Sequence, residues 1–124
     1  MKAIKAVIGF GSMLFAASAF ALEIKPYSAD TFAQIQKSGA GVALHFHADW
    51  CPTCRAQEKV FNGWKGNASV PVNLLVVDYD KERDLKNKLN VRTQSTLIVF
   101  KGDKEVARLA GKSDEKSLKE ALLK

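Results

Sequence analysis

Two cysteines, Cys51 and Cys54, are the only ones in the chain, and they stand where an apolar run, Val42 to Phe46, gives way to the helical-looking segment Ala56-Gln57-Glu58-Lys59-Val60-Phe61. A bridge across two intervening residues closes too short a loop to remove much unfolded-chain entropy, so the C-x-x-C spacing points to chemistry rather than to a staple. A thiol in the first turn of a helix faces unpaired backbone N–H groups and the positive end of the helix dipole, both of which favour thiolate. Cys51 is therefore expected to be the exposed attacker. Pro52 suits a first helical turn, where no N–H donor is needed. Cys54, one turn on, is placed to attack a mixed disulfide formed by Cys51.

Around this pair, periodicity and turn residues predict a strand near Glu23 to Tyr27 and a helix from Ala29 to Lys37 capped by Ser28. The strand Val42 to Ala48 follows, then the cysteine helix to about Trp64. The β-branched run Val72 to Val77 reads as a strand buried on both faces and is expected to be central. A polar helix over Lys81 to Leu89 comes next. Strand Thr96 to Lys101 then turns at Gly102-Asp103 into Glu105 to Leu109. Gly111 and Ser113 introduce a last helix whose apolar stripe is Leu118, Leu122 and Leu123. The order is β-α-β-α-β-α-β-β-α. Phe46, Phe61, Trp64 and Phe100 are expected in the core, with Asp49 and Arg55 as surface charges.

Residues 1–21 stand apart. Lys2 and Lys5 precede an uncharged run interrupted by Gly9, Gly11 and Ser12, short for a membrane span and closing on Ala19-Phe20-Ala21, an A-x-A cleavage pattern. The segment reads as a signal peptide removed after Ala21, with an uncleaved membrane anchor as the alternative; no cluster of positive charge follows the run, and none of its residues is a lipid-accepting cysteine. Without Lys2 and Lys5 the formal net charge of +6 falls by two. The other basic residues are interleaved with acids, as in Asp78-Tyr79-Asp80-Lys81-Glu82-Arg83-Asp84, which reads as a solvated surface and excludes a nucleic-acid-binding patch. About 100 residues close one core and little else.

An apolar strand ending in Ala48-Asp49-Trp50-Cys51, the C-x-x-C pair, Glu58-Lys59 and the later Leu89-Asn90-Val91-Arg92, in this element order, resembles the thioredoxin-like family. Within it the motifs are most similar to periplasmic thioredoxin-like domains, including the C-terminal domain of the thiol:disulfide interchange protein DsbD. The resemblance covers residues 22–124. It implies an α/β thioredoxin fold with a central mixed β-sheet flanked by helices, and an exported thiol-disulfide oxidoreductase that needs no organic cofactor. Cys51 attacks and Cys54 resolves, leaving a Cys51–Cys54 disulfide. By the same resemblance Trp50, Pro52, Thr53, Gln94 and Ser95 are expected to form the substrate-binding rim. The resemblance further implies protein disulfides and thiols as substrates, and the chain is expected to be a periplasmic monomer working as a reductant and recharged by a membrane electron carrier.

Two positions depart from the pattern. Ser95, in Thr93-Gln94-Ser95-Thr96-Leu97, stands where the family carries a cis-proline. A cis bond costs about 2.5–4 kcal/mol before a non-proline residue, so the Gln94–Ser95 bond is expected to be trans and the loop reshaped. The Ser95 hydroxyl either donates to the Cys51 sulfur or is simply solvated. His45 occupies the position of the family's buried proton-relaying Asp, and His47 lies on the same strand face. His45 is either the acid-base group of the reaction, with an ordinary pKa near 6.5, or a hydrogen-bonded core imidazole. Cys51, Cys54, His45 and His47 also compose a donor set for Zn²⁺ or copper, a rival function that requires four donors around one point.

Overall fold

The computed structural model describes residues 21–124; the proposed signal segment lies, but for Ala21, outside the described residues. The elements follow the expected order: β1 (Glu23–Pro26), α1 (Ala29–Ser38), β2 (Gly41–His47), α2 (Pro52–Gly63), β3 (Asn73–Asp78), α3 (Arg83–Leu89), β4 (Thr96–Lys101), β5 (Lys104–Ala110) and α4 (Glu115–Leu122). They form one five-stranded sheet in the order β1-β3-β2-β4-β5. β3 runs parallel to β1 and β2, while β4 is antiparallel to both β2 and β5. This is the mixed sheet flanked by helices that the resemblance implied.

Strand alternation splits β2 between two apolar layers. Val42, Leu44 and Phe46 face α1 and α3, packing with Leu75, Val77, Leu85, Ile98 and Phe100. Ala43 faces the other way, with Leu74, Leu97 and Val99, against Phe61 of α2 and Leu118, Ala121 and Leu122 of α4. His45 and His47 continue this second face, so the two imidazoles lie on the α2 side as the alternation requires.

Two expectations are corrected. β2, hydrogen-bonded on both sides and flanked by two strands in each direction, is the central strand; β3 is one place nearer the edge, because β1 adds beyond it in parallel. Leu123 is about half exposed, since α4 ends at Leu122 and turns it off the apolar stripe. α4 follows Gly111 and Ser113 as expected and is capped by Asp114, whose side chain accepts the Ser117 N–H. Ser28 caps α1 as expected, accepting from the Thr31 N–H at 3.1 Å. Phe46, Phe61 and Phe100 are buried, and Trp64 packs at the border of the core.

Candidate active site

The parallel crossover from β2 delivers the chain to the start of α2, and the cysteines sit at that handover. Cys51 is the N-cap of α2 and Pro52 its first residue. The Cys54 N–H donates to the Cys51 sulfur across 3.0 Å, so the donor expected to stabilise a Cys51 thiolate is in place. The two sulfurs are bonded as a disulfide, with Cα atoms 5.2 Å apart. In this oxidised state Cys51 is only 1% exposed, against the expectation of an open attacker. The bonded pair forms a small buried cluster with Ala48, against which Tyr79 packs. Cys54 is fully buried, its sulfur 3.8 Å from the Phe46 carbonyl oxygen.

Of the expected rim residues here, Trp50, at 57%, and Pro52 are exposed and Thr53 is partly buried. The Trp50 indole N–H donates to Asp80 across 2.8 Å. Beside it His47, Ala48, Asp49, Trp50, Asp78 and Asp80 line a shallow groove of about 240 Å³ with an acidic mouth. Arg55 donates to the Asp49 carbonyl oxygen, holding the turn before Cys51. Tyr79 and Asp80, which no sequence motif singles out, are thus part of the surroundings of the cysteine pair. Their signal is the strand register, which sets His47 against Asp78 and brings the following residues alongside.

On the other flank, among the described residues there are no cis peptide bonds, so the Gln94–Ser95 bond is trans as expected. Ser95 takes a left-handed conformation, φ +60°, uncommon for a residue with a Cβ. Its N–H donates to the Phe46 carbonyl at 2.9 Å, and its own carbonyl accepts from the Gly111 N–H at 3.1 Å. Ser95 is buried, while Gln94 is partly exposed beside it.

His45 is buried, with Nε2 lying 2.8 Å from Gln57 Oε1 and its ring edge-on to Phe61 at 5.0 Å. Burial pushes its pKa down from 6.5 to about 4, the hydrogen bond with Gln57 opposes that shift, and the neighbouring His47 adds to it. An imidazole with the ordinary value, expected from sequence, is replaced by one that is neutral throughout the physiological range. His47 Nε2 lies 3.1 Å from Asp49, and its Nδ1 is buried without a partner.

The lowered His45 pKa has a consequence for stability. Above about pH 6.5 His45 is neutral in both states; as pH falls from there towards about 4, the unfolded chain binds the proton and the folded one does not. Stability is therefore lost over that window, by roughly 3 kcal/mol in all, and the loss levels off below it. Urea unfolding at stepped pH is expected to show this slope, and a His45→Leu variant is expected to lack it. Equal slopes would reject the assignment.

The donor set of the rival metal reading does not converge. Both sulfurs are in the disulfide, each histidine's Nε2 faces a different side chain, and among the described residues no three His, Cys, Asp or Glu side chains group to hold a metal ion.

Residues 23–124 match the family model described as Thioredoxin. Thioredoxin from Chlamydia trachomatis is 34% identical over 77% of this chain and 91% of its own length. The crystal structure of Trxlp from Edwardsiella tarda superposes with a TM-score of 0.74 at 33% identity, covering 81% of this chain and 98% of that one. A mutant thioredoxin from Halobacterium salinarum, at 23% identity and a TM-score of 0.71 over 87% of this chain and 93% of that one, shares the fold. With its cysteine pair bonded at the head of α2 and the family match running from β1 to the last residue, the chain belongs to the thioredoxin family and is a thiol-disulfide oxidoreductase.

Proposed function

We propose that the chain is an exported reductant of protein disulfides, recharged by a membrane electron carrier. The observation that carries the redox part is the Cys51 sulfur at the N-cap of α2, accepting the Cys54 N–H where the helix dipole favours negative charge. In the reduced pair the Cys51 thiolate attacks one sulfur of the substrate disulfide, and the other leaves as thiolate. Cys54 then loses its proton and attacks the Cys51 sulfur, releasing the second substrate thiol and forming the Cys51–Cys54 disulfide. Two electrons pass to the substrate. The Cys54 proton passes to the first substrate thiolate; His45, hydrogen-bonded to Gln57 and neutral at physiological pH, fits the reading as a core imidazole. Pro52, Thr53, Gln94 and Ser95, with Trp50, form the rim on which the substrate chain rests.

Export rests on the sequence of residues 1–21, with cleavage after Ala21 and release as a periplasmic monomer. The reducing direction rests on the Trp50-Cys51 flank and the resemblance to reducing domains. Three measurements test these points together. N-terminal sequencing of the protein from fractionated cells is expected to begin at Leu22; an intact residue 1–21 segment would overturn export. Redox titration is expected to place the pair nearer the roughly −270 mV of thioredoxin than the roughly −120 mV of DsbA, and the opposite result would make it an oxidant. The reduced protein is expected to precipitate insulin chains by cleaving their disulfides.

A further inference from the structure

Gln57 is fully buried, one turn beyond Cys54 on the inner face of α2, and every polar atom of its side chain is used. Its amide nitrogen donates to the Ser95 carbonyl at 3.0 Å and to the Lys112 carbonyl at 2.8 Å. Two carbonyls can be met only by the two N–H groups of the amide, which leaves Oε1 for His45 and puts the His45 proton on Nε2. One side chain thus joins α2 to three places 12, 38 and 55 residues away. The loop it grips is the one that holds Ser95 in a left-handed conformation and lacks the ring of a proline to stiffen it.

We propose that Gln57 is the positioning residue of the substrate-binding loop: its amide, braced by His45, pins the Ser95 carbonyl and so fixes the backbone that receives a substrate chain beside Cys51. This rests on the reading of the protein as a reductant of protein disulfides. The conformation of the loop is over-determined from three sides. The Ser95 N–H is tied to β2 through the Phe46 carbonyl, and the Ser95 carbonyl is tied both to Gly111, just after β5, and to α2. Of these three, only the bond from α2 originates in a side chain, so it is the one that a substitution can remove. A small disulfide needs the sulfur of Cys51 alone, whereas a protein disulfide also needs the loop. The role therefore has a signature that general damage to the site would not produce.

The test uses protein purified after expression of the full chain, wild type and Gln57→Met, which keeps length and volume and removes both donors together with the acceptor of the His45 N–H. For a protein disulfide KM is expected to rise about tenfold with kcat within a factor of two, the loss of one or two hydrogen bonds. The rate with a small disulfide such as oxidised glutathione is expected to stay unchanged. Amide hydrogen exchange at Ser95 and Gly111 is expected to quicken by at least about tenfold while β2 and β3 keep their protection. Equal slowing on both substrates, or unchanged KM in an active protein, would overturn the role of Gln57. Absence of protein-disulfide reduction by the wild type would instead overturn the functional reading beneath it. Should Gln57→Met fail to fold, the wild-type side chain decides: its two amide protons are expected to exchange slowly, and rapid exchange would overturn the proposal.

Discussion

Replacing Cys51 by serine is expected to abolish protein-disulfide reduction, lowering the rate by about three orders of magnitude or more, to the uncatalysed background. A hydroxyl keeps the cap of α2, since oxygen accepts the Cys54 N–H at least as well as sulfur does, so the fold survives. What disappears is the nucleophile: at neutral pH serine supplies no anion comparable to a thiolate held at a helix N-terminus. Cys54→Ser is expected to fail differently. The Cys51 thiolate still attacks, nothing displaces the substrate, and a mixed disulfide accumulates that mass spectrometry of the non-reduced sample detects as an adduct on Cys51. The contrast between the two variants separates attacker from resolver. Turnover retained in Cys51→Ser, or no adduct in Cys54→Ser, would sink that assignment.

The second large effect lies on the opposite face of the sheet. Phe46 has no exposed surface and fills the layer between β2 and the helices α1 and α3. Phe46→Ala removes most of that volume from the central strand, where neighbours on both sides restrain collapse, and is expected to cost about 3–5 kcal/mol. For a domain of about 100 residues, whose whole stability is about 5–15 kcal/mol, this lowers the melting temperature by about 12 °C or more. Thermal unfolding of the oxidised protein checks it, and a drop of under about 4 °C would show that the layer closes over the gap. The backbone carbonyl of Phe46 still accepts the Ser95 N–H in the variant, so activity per folded molecule is expected to persist at low temperature.

The redox pair and the order of elements are legible in the sequence because each has a local signature. Cys51 and Cys54 combine with Pro52 at a strand-to-helix handover, Ser28 precedes an amphipathic helix, and Gly102-Asp103 separates the two strands of a hairpin. The burial of Cys51 is not legible, since spacing says which sulfurs meet but not which way the bonded pair turns. Gln57 stands out in the sequence only as part of a helical segment. A signal does exist in the stripe Cys54, Gln57, Phe61, three then four residues apart, which marks the buried face of α2. Its partners at Ser95 and Lys112 are backbone carbonyls, which any residue supplies, so no residue type at those positions announces them. For His45, strand alternation places the ring opposite the cysteine helix; the depth of burial that lowers its pKa depends on how Phe61 and Gln57 close over it.

The reach of Gln57 also bears on the order in which the molecule assembles. A helix carrying a buried amide is a liability until its acceptors arrive, and here they arrive from the loop before β4 and from the segment after β5, 38 and 55 residues downstream. Closing loops of that length is entropically costly, and no local contact compensates in advance. The sheet from β1 to β3 and the docking of α2 can precede the β4–β5 hairpin, but the Ser95 loop cannot take its shape until that hairpin is seated. The loop proposed to meet other polypeptides thus takes shape late, and during synthesis the cysteines exist on a helix well before the Ser95 loop is in place beside it.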